Sequence, residues 1–311
     1  VTQQRVRIVT ALRSQLEAGL LKGSIAATIF VAGAGVVIGL LSGSMSIVFD
    51  GLFSSIDAIV GVITLIVARL LASEGNHRFQ YGYWHLEPLV LALNSSVLVL
   101  LCGYAFLNGV QGLMSGGHVL SFDMGLAYAA IVSVICFGMV FYLRYQNTRL
   151  ESELIGVEVA SWMMSGVITV ALLIAFAGAL ALEGTSWAPL TPYVDPLVLT
   201  VLAPAVLPVP LRTAIQAFRE IFLITSRDID AAVCAVAEQI VREHGFKTFR
   251  SYAVEVGRAR FVEISFLVPA DMKLASVADF DAIRHDIAQR LGGAGPEFWL
   301  TIVFTGDSDL V

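Results

Sequence analysis

Charge is what this chain has least of: only 14% of its 311 residues are Asp, Glu, Lys or Arg, against about a quarter in soluble domains. Hydrophobic residues make up 57%, and the mean hydropathy is +0.80. A purely soluble protein is therefore excluded. Cysteine is nearly absent too: Cys102, Cys136 and Cys234 lack the paired spacing of a metal knuckle or a redox site. They are expected to be free thiols acting as small apolar residues. No Gly-rich phosphate loop and no nucleophile–base arrangement occurs, so no enzyme and no bound cofactor is expected. The net charge of -6 is uninformative about nucleic acid, because the basic residues serve topology rather than forming a patch, and no nucleic-acid partner is expected.

Long apolar runs are abundant. They lie near 24–41, 46–68, 88–113, 124–143, 154–182 and 194–211, most of them meeting the roughly 20 residues needed to cross a bilayer. Six membrane spans are predicted. The last contains Pro196, Pro204, Pro208 and Pro210, which blur its boundaries because proline removes a helix donor. Lys and Arg are missing from the alternate loops 42–45, 114–123 and 183–193. All of them therefore fall on one side, which the positive-inside rule makes cytoplasmic together with both termini. A plasma or inner membrane is expected. The polar, basic start of the chain lacks the apolar core of a cleavable signal.

Within the second run stand Asp50 and Asp57, with no Lys or Arg between Ser46 and Ala68 to neutralise them. Ionisable groups in hydrocarbon are costly and point to function. Seven residues is almost two helical turns, so both share a face but sit roughly 10 Å apart along the axis. One small cation could not touch both. The remaining intramembrane acids are Glu158 on the fifth run and Asp195 opening the sixth, with Glu87 and Asp123 near an interface. Asp195, ahead of a proline, reads as a helix cap.

After about residue 223 the composition becomes that of a soluble domain. Ser226 opens a helical pattern closed by Gly245, with Ile229, Val233, Val236 and Ile240 at helical spacing. Alternating runs Ser251–Val256 and Arg260–Val268 follow, then a helix over about 276–291 and a strand at Phe298–Thr305. The predicted organisation is a tail over 1–23, a six-helix transmembrane domain over 24–222 and a cytoplasmic αββαβ, ferredoxin-like α+β domain over 223–311. His244 and His285 read as solvated helix residues.

Several segments resemble the cation diffusion facilitator family of divalent-metal/proton antiporters. The run Gly43-Ser44-Met45-Ser46 through Asp50, Phe53 and Asp57 is similar to that family's second-span signature. Gly82-Tyr83-Trp84-His85-Leu86-Glu87-Pro88-Leu89 is similar to the segment opening its third span, and Asp195-Pro196 to the start of its sixth. The resemblance implies a cation-for-proton exchanger exporting from the cytoplasm, with a divalent cation as substrate and a homodimer formed through the C-terminal domain.

The resemblance also implies a metal held by two i,i+4 pairs on the second and fifth spans. Residues four apart share a helix face, so two facing helices can supply four ligands to a tetrahedral ion. Carried over, these positions fall on Phe53 and Asp57 and on Trp162 and Gly166, or on Ser161 and Ser165 if the register slips by one. Of the first four only Asp57 carries a donor, and serine hydroxyls suit a hard ion if any. Glu74 and His77 align with a secondary loop site, although Tyr81 stands where a second His often occurs. The candidate transport residues are thus Asp57, Asp50 and Glu158, the last one turn before Trp162. Three readings remain open: a cation/proton exchanger with a degenerate site, a non-transporting relative serving as partner subunit or regulator, and a carrier of an organic substrate lined by Phe53 and Trp162 through cation–π contacts.

Overall fold

A computed structural model describes residues 2–71, 82–117, 122–150, 153–182, 185–257, 259–269, 276–292 and 298–310. Among these, six helical stretches are long and apolar enough to cross a membrane: Gly19–Ser42, Met45–Val67, Leu86–Met114, Asp123–Thr148, Glu158–Leu182 and Ala188–Ile221. They lie on helices α1 (Thr2–Ser42), α2 (Met45–Leu71), α3 (Leu86–Met114), α4 (Phe122–Leu150) and α5 (Glu153–Leu182) and on the pair α6 (Val194–Val206) and α7 (Pro208–Ile221). Two spans differ from the sequence reading. The 41 residues of α1 form one helix about 62 Å long, twice the hydrocarbon thickness. The sixth span runs ten residues beyond Leu211, because Leu207 carries the ladder across the prolines by donating to Ala203 at 3.0 Å and accepting from Leu211 at 3.1 Å.

The chain divides into two compact units, 1–65 with 94–212 and 66–93 with 213–311. In the first, α1 and α2 approach until their backbones touch. A Cβ added to Gly35 would sit 2.8 Å from Gly51 Cα, and one added to Gly51 would sit 2.5 Å from Val36 N. Small residues allow such approaches in lipid, where packing replaces the hydrophobic effect as the driving force. The main core joins α1, α4 and α5 through Val31, Tyr128, Cys136, Leu143, Trp162 and Phe176. A second cluster gathers Phe49, Cys102, Ile168, Leu199 and Ala203, with Phe53 packed against it.

In the second unit, α8 (Arg227–His244) starts where Ser226 accepts from Ile229 N at 3.4 Å and ends at Gly245, whose φ of 68° is the left-handed cap that glycine tolerates best. Strands β1 (Thr248–Val256), β2 (Ala259–Leu267) and β3 (Phe298–Thr305) pair in the order β1-β2-β3, antiparallel and then parallel. The parallel step is spanned by α9 (Val277–Arg290), opened by a capping box of Ser276 and Asp279. Val233, Ala237 and Ile240 of α8 and Ile283 and Ile287 of α9 close over Val262, Ile264 and Phe266, which alternate along β2. β1 begins three residues earlier than the sequence pattern indicated, since Thr248, Phe249 and Arg250 pair with Leu267, Phe266 and Ser265. The β1–β2 turn is held where Gly257 N donates to Glu220 at 3.2 Å. Gly257 has φ 59°, and a Cβ there would lie 2.8 Å from Glu87 Oε2 and 2.9 Å from the Trp84 carbonyl.

Candidate transport site

Asp50 and Asp57 part company once α2 is placed. Asp50 is only 2% exposed and accepts a 2.9 Å hydrogen bond from the Tyr128 hydroxyl of α4. Asp57, two turns further along, is half-buried and lies within electrostatic range of Glu158 on α5. Asp57 and Glu158 stand about a hundred residues apart in sequence, so the bundle rather than any local motif puts them within that range.

Glu158 has a partner that sequence spacing did not reveal. Ser24, fully buried on α1, donates its hydroxyl to Glu158 Oε2 at 2.5 Å. The Ser24 oxygen in turn accepts from the indole Nε1 of Trp162 at 2.7 Å. Ser24 is a lone hydroxyl following Lys22-Gly23 at the start of an apolar run. Its only signal in the sequence is that polar residues inside spans seek bundle-facing positions.

The other carried-over positions are occupied by packing. Phe53 faces Phe49 with ring centroids 6.1 Å apart. Trp162 is buried in the main core. Gly166 lies against α4, where an added Cβ would meet Cys136 and Phe137 at 3.3–3.4 Å. Ser165, of the alternative register, accepts from the Cys136 thiol at 3.7 Å, and so also faces α4. Among the described residues no three His, Cys, Asp or Glu side chains converge as they would around a metal ion. Asp57 and Glu158 lie within electrostatic range of each other, and Ser24 adds an oxygen-bearing side chain beside Glu158. Glu74 and His77 lie outside the described residues.

Asp195 caps a helix, although not its own. α6 begins after Tyr193 with no side-chain cap bond. The buried Asp195 carboxylate instead crosses to the start of α2, accepting from Ser44 Oγ at 2.5 Å, Met45 N at 3.1 Å and Ser46 N at 3.2 Å. Ser46 Oγ returns a bond to the Asp195 carbonyl at 3.0 Å. The physical reason is the set of unpaired N–H groups that every helix start presents. Those of α2 lie next to this carboxylate in space, although about 150 residues away in sequence. Glu87 stands in the first turn of α3, Asp123 is exposed in the first turn of α4, and His244 and His285 are exposed on α8 and α9.

Comparison with known proteins gives a consistent set of likenesses. Residues 21–222 match the model of the cation efflux transmembrane domain. Over 188 residues the chain is 28% identical to the zinc transporter ZitB of Pectobacterium atrosepticum, covering 60% of this chain and 57% of that protein. It is 26% identical over 110 residues to magnetosome protein MamB of Paramagnetospirillum magneticum, covering 35% and 36%. Over 119 residues it is 26% identical to magnetosome protein MamM of Magnetospirillum gryphiswaldense, covering 38% and 37%. The chain thus spans somewhat over half the length of the zinc transporter and little more than a third of the magnetosome proteins.

Proposed function

Because the chain belongs to the cation efflux family of membrane transporters, we propose that it exchanges a divalent cation for protons at the acid pair Asp57 and Glu158. What supports this reading is that these two carboxylates, on α2 and α5, lie within electrostatic range of each other inside the apolar spans. Two protons neutralise such a pair, and so does one divalent cation. Loading either therefore releases the other, which is the elementary requirement of an exchanger. In a low-dielectric span the unneutralised pair is the costly state, and this links the two movements. Export from the cytoplasm, cytoplasmic termini and a homodimer through the αββαβ domain complete the proposal. They are supported by the one-sided Lys and Arg distribution and by the family.

The cargo is a harder ion than a His- or Cys-rich site would select. Asp57, Glu158 and Ser24 present oxygen alone, which suits Mn²⁺ or Mg²⁺ better than thiolate-loving ions. ZitB, a zinc transporter, keeps Zn²⁺ in the test panel. The experiment is uptake of Mn²⁺, Mg²⁺, Zn²⁺ and Fe²⁺ into proteoliposomes carrying an internal pH dye, with Asp57→Asn and Glu158→Gln as controls. Cation uptake matched by proton efflux and lost in both variants is the expected result. If folded wild-type protein moves none of the four, the exchanger reading is wrong. A second reading, that of a partner subunit that does not itself transport, is favoured by the phenyl of Phe53 and the indole of Trp162 at positions carried over from metal ligands. It gains support from that same negative outcome.

A further inference from the structure

While Glu158 is ionised, the trio Trp162, Ser24 and Glu158 has one direction in which its hydrogen bonds can run. An indole Nε1–H can donate but not accept, and a serine hydroxyl has a single proton. Trp162 therefore occupies a lone pair of Ser24 Oγ, and the Ser24 proton is left to Glu158 Oε2. Both Ser24 and Trp162 are buried, at 0% and 4% exposure. Water is thus kept from offering either of them another partner.

We propose that Ser24 and Trp162 are a positioning pair that holds Oε2 of Glu158 as a committed acceptor and so presents Oε1 as the oxygen that meets the cation beside Asp57. This rests on the exchanger reading above. It gives Trp162 a role in transport, because the indole acts on the cargo through Ser24 and Glu158 and never as a ligand. It also recruits a third helix. α1 joins α2 and α5 in shaping the site, whereas the family resemblance implied ligands from two spans. A carboxylate oxygen that already accepts a hydrogen bond is a poorer ligand than its free twin, so Oε1 is the favoured donor and the Glu158 carboxylate is oriented before the cation arrives. Preorganisation of this kind acts mainly on affinity.

The test uses the full-length protein in proteoliposomes with Mn²⁺ as probe, in wild type, Ser24→Ala, Ser24→Thr, Trp162→Phe and the double variant Ser24→Ala/Trp162→Phe. Losing a hydrogen bond to a charged group corresponds to about a tenfold effect. Ser24→Ala is therefore expected to raise the KM for Mn²⁺ about tenfold with the maximal rate within about twofold. Ser24→Thr, which keeps the hydroxyl, restores the wild-type KM. Trp162→Phe, which keeps a ring and loses the donor, raises it less than Ser24→Ala. The double variant is no worse than Ser24→Ala alone, because the indole acts only through the hydroxyl. An unchanged KM in Ser24→Ala, failure of Thr to rescue, or additive effects in the double variant would each overturn the positioning pair. Equilibrium Mn²⁺ binding by electron paramagnetic resonance, on the same purified proteins, separates this from the exchanger reading. Wild type that binds Mn²⁺ but moves none of the four cations sinks the exchanger alone, and the Kd ratios among the variants then decide the pair. Wild type that neither binds Mn²⁺ nor moves any of the four sinks both.

Discussion

Replacing Asp195 by alanine tests a buried carboxylate that holds three donors. The substitution removes the acceptor of three donors, Ser44 Oγ, Met45 N and Ser46 N. Two of these are backbone groups at a helix start with no partner inside α2. In water-soluble proteins a bond to a charged acceptor contributes about 1.5–3 kcal/mol. Between transmembrane helices measured values are nearer about 0.6 kcal/mol, because a chain unfolded within the membrane finds other partners. Taking about 1 kcal/mol for each of the three bonds gives a loss of about 3 kcal/mol for Asp195→Ala. Asp195→Asn should lose about half of that. It keeps one oxygen for Ser44 and Ser46 but turns an amide N–H toward Met45, where a donor would face a donor. Ser44→Ala should cost about 2 kcal/mol, for the bond to Asp195 and the one Ser44 Oγ accepts from Ile47 N at 3.2 Å. The assay is reversible unfolding in mixed detergent micelles followed by circular dichroism. An Asp195→Ala protein within about 0.5 kcal/mol of wild type, or an Asn variant no better than Ala, would refute the accounting.

Other perturbations probe separate parts of the molecule. Tyr128→Phe strips the buried Asp50 of its hydroxyl donor and should destabilise by about 1–3 kcal/mol in the same assay; an unchanged midpoint would mean that Asp50 has another partner. Gly257→Ala should cost about 2 kcal/mol, since alanine is strained at positive φ and its Cβ would press on Glu87 and Trp84; a neutral result would remove that turn contact. In the C-terminal domain, hydrogen bonds from Arg290 and then Gln239 hold the Glu243 carboxyl below its ordinary 4.5, and Arg290 is correspondingly held more firmly protonated. A lowered carboxyl contributes stability above its unfolded value and loses it as pH falls through the folded one. Acid unfolding should therefore begin below about pH 4.5, and Glu243→Gln should flatten that limb; a variant with the wild-type acid profile would contradict it.

How much of this the sequence revealed depends on the range of the interaction concerned. The spans were legible because crossing a bilayer imposes a run of apolar residues that local reading detects. The Ser226 and Gly245 boundaries of α8 were legible because caps act over three or four residues. Placing Ser251 as the start of β1 missed Thr248, because the pairing of Thr248 with Leu267 is made across a hairpin and leaves no local alternation to read. The helix that carries the first apolar run reaches back far beyond residue 24 for the opposite reason: the polar residues before the run continue the same helix, and only the helix itself shows that. Sequence singled out Asp57 and Glu158 as costly acids. The hydroxyl of Ser24, 134 residues from Glu158, and Tyr128, 78 residues from Asp50, came from the way α1, α4 and α5 pack. Asp195 was recognised as a cap by its residue type, whereas the helix it serves could be identified only in three dimensions.

Riveting the first turn of α2 to α6 through Asp195 makes that end of α2 a fulcrum. Asp57 stands twelve residues along from Met45, about 18 Å down the lever arm, so a swing of about 10° would carry its carboxylate about 3 Å while leaving the riveted end nearly still. That distance is comparable to the reach of one ligand bond. A modest tilt of a single rod is therefore enough to shift Asp57 relative to α5, without unwinding either helix.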